Sequence, residues 1–332
     1  MGANALKIGA DRTELFFLEN LAWFLALFFY IMFGAVKPWA MFSFDFVVFM
    51  LHSVIALGFL VMAESICLVT NNIDLSIGEM TGFVGMAAGF LIAAYPGIPF
   101  YLTILIPVGI GMLCGSVNGF LIGPLKFPPF LVTLGTLMAF QGGTFMIRKR
   151  DIEGSLLPQF YLSFGGIPLL AIVSFVVILV FVAIVLKYSR FGVHLYYVGG
   201  GAIASEMMGI NLKRTYFATY TISGLLVGLS ALYYTGYINS VSITMADGSL
   251  FPAFAGAVIG GISLSGGRGS ISNAFAGTLL LGVVEAGLTM FAISPEGRMV
   301  AYGIMVIGAI VINSVRDRVR DRVLKAIRPG VG

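Results

Sequence analysis

Apolar runs of about twenty residues recur along the chain, each broken by a short polar stretch. Candidate spans fall at 20–36, 46–70, 77–95, 100–124, 129–147, 168–187, 214–236, 250–264, 270–291 and 298–315. Runs of this length suit helices that cross a hydrocarbon core, where every backbone N–H and C=O must find its partner inside the protein. Barrel strands would instead alternate over about ten residues. The expected fold class is therefore all-α, a polytopic membrane helix bundle of about ten transmembrane helices. The run at 250–264 is short and glycine-rich, so a broken or re-entrant helix is the alternative there.

Composition strengthens this reading. The 332 residues are 59% hydrophobic and 10% charged, and the mean hydropathy is +1.01. A water-soluble domain carries more than twice that share of charge. The 43 glycines suit helices whose backbones approach closely in a bilayer. Cys67 and Cys114 fall inside apolar runs and read as small hydrophobes, with no disulfide or metal role.

Charge then sets orientation. With the N-terminus inside, fourteen Lys and Arg fall on the inner side and five on the outer, which places both termini in the cytoplasm of a multi-pass membrane protein. The cluster Arg148-Lys149-Arg150 runs against this trend. The net charge of +4 is spread over short loops and does not form a nucleic-acid patch. No cleavable signal peptide is expected, and the first span serves as the insertion signal. Residues 1–332 read as a single transmembrane domain, with a cytoplasmic loop over about 188–213 and a helix-compatible cytoplasmic tail over 316–332.

Three polar interruptions hold the candidate chemistry. The first, Asn71-Asn72-Ile73-Asp74-Leu75-Ser76-Ile77-Gly78, favours a helix break, with Asp74 or Ser76 capping the helix that resumes at Ile77. Broken membrane helices commonly line substrate paths; an ordinary cytoplasmic turn is the other reading. The second is the long loop 188–213. Its glycines Gly199-Gly200-Gly201 suggest a flexible hinge, followed by a short helical stretch through Ala204, Ser205, Glu206, Met207, Met208, Gly209, Ile210 and Asn211 that could be a handle for a soluble partner or a plain connector. The third is the glycine-rich stretch 260–270, with Gly266, Gly267 and Arg268 expected to form a tight turn at the inner face. No lysine follows these glycines as a phosphate loop requires, so nucleotide binding is rejected there.

Glu64 and Glu285 lie within apolar runs and Glu79 nearly does, where a carboxylate is costly and so marks a water-filled path or a coupling proton, or else sits neutral between helices. Glu64 joins Asn71, Asn72, Asp74 and Ser76 as a candidate for the substrate path or helix break. No catalytic constellation or metal-ligand spacing occurs.

These three stretches resemble the ribose-type (branched-chain and sugar) family of bacterial ABC permeases. The family's G-G-I-D-L-S-x-G corresponds to 71–78. Its F-G-x-x-x-Y-x-x-G-G followed by S-G-I-N corresponds to Phe191-Gly192, Tyr196, Gly199-Gly200 and Gly209-Ile210-Asn211. Its G-G-x-S-L-S-G-G-x-G corresponds to 260–269. The similarity runs from about residue 50 to 312. Asn71-Asn72 stand where the family has two glycines, Ala202-Ile203-Ala204 where it has Glu-Glu-Ala, and Leu250-Phe251-Pro252 where it has an acidic stretch.

The resemblance implies a non-enzymatic transport subunit of an ABC importer, moving a small polar solute, with a monosaccharide favoured. Relatives also carry nucleosides or a sugar-derived signalling molecule. It implies cytoplasmic ATPase subunits that bind the ATP, a second permease copy or paralogue, and an extracytoplasmic substrate-binding protein. It also implies that 204–211 couples to the ATPase. No cofactor is expected in this chain itself. A secondary transporter using Glu64, Glu79 or Glu285 is the competing class.

Overall fold

The computed structural model describes residues 13–14 and 16–327, with side chains as far as Val323. The described chain is almost entirely helical. In order come α1 (Leu21–Val36), a single turn α2 (Pro38–Met41), α3 (Phe44–Ser53), α4 (Ile55–Val69), α5 (Ile77–Ala94), α6 (Phe100–Ile122) and α7 (Pro129–Ile147). After a two-residue strand β1 (Ile152–Glu153) follow α8 (Gln159–Gly166), α9 (Pro168–Tyr188), α10 (Arg190–Gly200), α11 (Ala202–Met207) and α12 (Leu212–Ile238). Strand β2 (Ser240–Val241) pairs antiparallel with β1. The chain ends with α13 (Leu250–Ile259), α14 (Ile271–Met290) and α15 (Pro295–Ile327). The expected tail 316–332 is helical as far as Ile327, and its remainder lies outside the described residues.

Local chemistry explains many of these boundaries. Pro129 and Pro168 occupy first-turn positions, where a missing N–H costs nothing. The side chains of Ser43, Ser189 and Asn211 cap α3, α10 and α12 by accepting from the N–H of Phe46, Gly192 and Arg214.

Seven described helices are long and apolar enough to cross a membrane, and α3 with α4, bent by 43°, makes an eighth if taken as one span. The expected number of about ten is thus not reached on length. Two of the sequence spans fold as shorter helices, Leu21–Val36 and Leu250–Ile259. The ten residues of α13 rise only about 15 Å, half a bilayer core. So 250–264 is not a full span. Its helix stops at Ile259, and Gly261 at φ +103° leads into the loop that follows.

The closest packing joins α6 to α12. Gly111, Gly115 and Gly119 recur at every fourth position of α6 and present one bare stripe to Gly224, Gly228 and the backbone around Tyr220 and Phe217. A Cβ at Gly115 would fall 2.2 Å from the Tyr220 carbonyl oxygen, and one at Gly224 would fall 2.2 Å from that of Gly111. Small residues therefore let the two backbones touch, which is how helices associate where lipid removes the hydrophobic driving force. A hydrogen bond of 3.0 Å between Ser116 and Thr221 seals the same seam.

The loops sort to two ends. One end gathers 70–76, 123–128, 189–211 and 260–270, together with Leu18 and Glu19, which meet Arg316 and Arg320 of α15. It carries Lys126, Lys187, Arg190, Lys213, Arg214 and Arg268, and is called the basic end below. The other end gathers 148–158 and 239–244, where Asp151 accepts from the Ile243 N–H. Arg148-Lys149-Arg150 lies at that second end, so the one discordant cluster of the charge count stays discordant in the fold.

Candidate functional site

The site is a junction at the basic end, built where α4 stops. Val69 closes the helix, and Asn71 turns the chain through the left-handed region at φ 60°. Residues 72–76 return without helical structure until α5 starts at Ile77. The chain thus turns here between α4 and α5 at the basic end, and the expected cap differs. Ser76 occupies the cap position without accepting from a helix N–H. Its hydroxyl donates to Asp74 Oδ1 at 2.6 Å, and its own backbone N–H donates to the same oxygen at 3.0 Å. This is an Asx turn, which satisfies the backbone locally and stops the helix from extending backward.

Two helices brace the turn. Asn118 of α6 donates from Nδ2 to Ser76 Oγ at 3.0 Å, and the Tyr220 hydroxyl of α12 donates to the Ile73 carbonyl at 3.4 Å. Both come from the glycine-lined pair, whose close approach brings them to the break. Asp74, Ser76, Asn118 and Glu64 are all fully buried, while Asn71 is exposed and Asn72 half-buried. Neither Asn118 nor Tyr220 was singled out by sequence reasoning.

The other two motif stretches close on the same point. The Gly267 N–H donates to the Val69 carbonyl at 2.8 Å, satisfying an acceptor that a helix end leaves free. The Tyr196 hydroxyl donates to the Gly269 carbonyl at 2.9 Å. A Cβ at Gly199 would fall 1.8 Å from the Val69 oxygen and 2.5 Å from the Gly267 nitrogen. Gly266 and Gly267 take φ +74° and +67°, the left-handed turn that Cβ-bearing residues resist. Stretches far apart in sequence thus share one buried contact. The expected glycine hinge is corrected here. Gly199 and Gly200 belong to α10, and Gly199 serves by its small size, not by its freedom.

Beyond this contact, α11 projects from the bundle. Ile203, Met207 and Met208 are 79%, 86% and 62% exposed, with Ala204 and Glu206 exposed beside them. Ser205 and Ile210 anchor the element inward, Ser205 donating to the Gly201 carbonyl. Gly209 at φ +85° ends it, and Asn211 caps α12 directly after. The result is a projecting knob with an apolar crown. Beside it opens a cavity of 680 Å³ lined by Asn72, Lys126, Phe127, Glu206, Lys213 and Tyr216 among others.

A second cavity, of 340 Å³, lies toward the opposite end between α12, α14 and α15. Tyr234, Tyr237 and Tyr302 face it with Asp247, Ser249 and Glu285. Partial burial raises the Asp247 carboxyl above the ordinary carboxylate range. Glu285 is paired with Arg298 at 2.5 Å and accepts from the Tyr302 hydroxyl. Sequence reasoning flagged Glu285 alone of this set, because tyrosines in apolar runs look like ordinary core. Cys67 and Cys114 are buried free thiols, and no group of ligands able to hold a metal occurs among the described residues.

The junction lies within a stretch of the chain that matches a known family. Residues 46–312 match the family described as "Branched-chain amino acid transport system / permease component". The chain belongs to that family of permeases. It is 32% identical over 294 residues to the fructose import permease protein FrcC of Rhizobium meliloti, covering 85% of this chain and 81% of that protein. It is 26% identical over 310 residues to the autoinducer 2 import system permease protein LsrD of Enterobacter sp. (strain 638), covering 90% and 94%. The LsrD protein of Klebsiella pneumoniae subsp. pneumoniae is 27% identical over 273 residues, covering 79% and 81%. No solved structure matches the chain.

The chain is accordingly the transmembrane permease of an ABC importer, a transport component that moves a small polar solute through a multi-pass bundle.

Proposed function

We propose that this permease imports a monosaccharide and is driven by a cytoplasmic ATPase that grips the knob Ala202–Asn211. The apolar crown of Ile203, Met207 and Met208 carries this reading. Large apolar side chains held out at a charged loop end call for a partner groove, and flexible thioethers adapt to one. The basic end is then cytoplasmic, in keeping with the excess of Lys and Arg there, and both chain ends lie on that side. ATP is bound and hydrolysed by the ATPase and not by this chain, which has no phosphate-binding loop with its lysine. A second permease copy or paralogue and an extracytoplasmic binding protein complete the importer.

The break at 71–78 works as the base of the coupling device. Motion of the knob passes through Gly199 and Gly267 to Val69, and so to α4 and the break that Asn118 and Tyr220 hold. Asn72 edges the cavity at the basic end, and Asn71 forms the exposed turn before it. Asp74, Ser76 and Glu64 act behind it, shaping the path without touching open space. At the opposite end, the tyrosines and carboxylates around Asp247 offer the mixed apolar and hydrogen-bonding lining that suits a polyhydroxylated solute.

The name of FrcC favours a sugar, and those of the LsrD proteins favour autoinducer 2 as a second reading. Uptake assays in proteoliposomes containing the permease, its ATPase and its binding protein separate the two. Fructose uptake that unlabelled autoinducer 2 does not compete supports the first; uptake of autoinducer 2 with none of any monosaccharide overturns it.

A further inference from the structure

Past β2 the backbone runs without helix down the side of α5. A Cβ at Gly89 would strike the Val241 side chain, one at Gly85 the Met245 side chain, and one at Gly78 would lie 3.3 Å from the Ala246 carbonyl oxygen. From Gly89 to Gly78 is about 16 Å of helix rise. Irregular backbone carried so deep between apolar helices is tolerated where it lines a cavity. Here Asp247, Gly248 and Ser249 line the 340 Å³ cavity between α12, α14 and α15.

The local backbone presents Asp247 to that cavity. Met245 and Ala246 are 2% and 3% exposed, whereas Asp247 directly after them is exposed. Ala246 at φ 63° and Gly248 at φ +74° are both left-handed, a conformation that an alanine resists. The Asp247 N–H donates to the Thr244 carbonyl at 3.2 Å, and the Ser249 N–H donates to the Ala246 carbonyl at 3.0 Å. These turns fix the chain on both sides of Asp247 and leave its side chain free.

Two carboxylates line the cavity, and they are not alike. Glu285 is spent: one oxygen accepts from Arg298 at 2.5 Å and the other from the Tyr302 hydroxyl. Asp247 takes part in no ion pair or side-chain hydrogen bond among the described residues. Arg298 balances Glu285, so the charge of Asp247 has no counterpart in the cavity lining.

We infer that Asp247 is the solute-binding carboxylate of this cavity, accepting from two neighbouring hydroxyls of an uncharged polyol, while Glu285 holds the wall. The two oxygens of one carboxylate can accept from hydroxyls on adjacent carbons, and hydrogen bonds to an ionised acceptor are roughly twice as strong as neutral ones. Val54, Leu57, Tyr234 and Tyr237 supply apolar surface for the C–H bonds of the same solute. A phosphorylated or acidic solute would instead meet like charge. This inference rests on the reading that the cavity lies on the solute path, and it does not depend on which polyol is carried.

The test uses the complex of permease and ATPase in lipid nanodiscs, treated with a water-soluble carbodiimide and an amine, which convert reachable carboxylates to amides that peptide mass spectrometry locates. Fructose and autoinducer 2 are each run as protectants and, in proteoliposomes with the binding protein, as labelled solutes. Modification of Asp247 should slow about tenfold as the carried solute nears saturation. That of Glu153 in the outer loop should not change, and fructose 6-phosphate should protect neither. Asp247→Asn should lower uptake about tenfold at an unchanged melting temperature, a split that a structural role for Asp247 would not give. Failure of both solutes to protect Asp247 overturns the inference, whatever is taken up. So does equal protection by fructose 6-phosphate, or full uptake by Asp247→Asn. Protection of Asp247 without ATP-driven uptake supports the site and tells against the importer reading alone.

Discussion

At the basic end the break 70–76 and the knob 202–211 border one cavity, yet the first hides polar groups and the second displays apolar ones. The break can hide Asp74 and Ser76 because each finds partners within the turn or on α6. The knob can display Ile203, Met207 and Met208 because Ser205 and Ile210 hold its other face. Each region inverts the usual sorting of side chains, and the helices that lead into them meet through backbone atoms of Val69, Gly199 and Gly267. Buried polar groups make the break specific in shape; exposed apolar groups make the knob ready for a partner.

Severing the link should have the largest effect. Gly199→Val forces a side chain into the Val69 carbonyl, and overpacking of this kind costs about 3 kcal/mol or more. The thermal transition of the purified permease should drop and transport should be lost. A variant of normal stability and activity would show that knob and break move independently.

Asp74→Ala acts on the break alone. It leaves the Ser76 N–H and hydroxyl without their acceptor, a loss of about 1–3 kcal/mol, so uptake should fall several-fold while the protein still inserts. Asn211→Ala acts at the base of the knob by removing the cap of α12, for about 1 kcal/mol. Its thermal shift should be smaller than that of Asp74→Ala, and its coupling of ATP hydrolysis to uptake weaker than that of the wild type.

The smallest effect on stability belongs to Met207→Glu with Met208→Glu. Both side chains are exposed, so the isolated permease should change by no more than about 0.5 kcal/mol. ATPase binding in a pull-down should nevertheless be lost. Should the pair bind normally, the apolar crown is not the docking surface.

Much of this was legible in the chain itself. The apolar period gave the bundle, and Asn, Asp and Ser in an apolar stretch gave the break. Other parts were hidden for physical reasons. Nothing near Asn118 or Tyr220 signals that they meet Ser76 and Ile73, because that meeting depends on helices touching across the Gly111, Gly115 and Gly119 stripe. Gly199 reads in sequence as a source of freedom, whereas its neighbours require only that it have no side chain. Helix length marks fewer spans than the apolar runs do, because α13 is apolar enough to resemble a crossing yet rises only about half a bilayer core. For Glu285 the sequence leaves open a path-lining, a proton-coupling and a hydrogen-bonded carboxylate, and its partners Arg298 and Tyr302 lie beyond the turn after α14, where no spacing signals them.

The most direct measurement is ATP-driven uptake of labelled fructose into proteoliposomes that hold the permease, its ATPase and its binding protein, run beside the Met207→Glu/Met208→Glu variant. An ATP-powered permease gripped at its knob accumulates solute only with ATP and only with the native loop, although both permeases are equally stable. Accumulation by this chain without any ATPase, driven by an ion gradient alone, would contradict it.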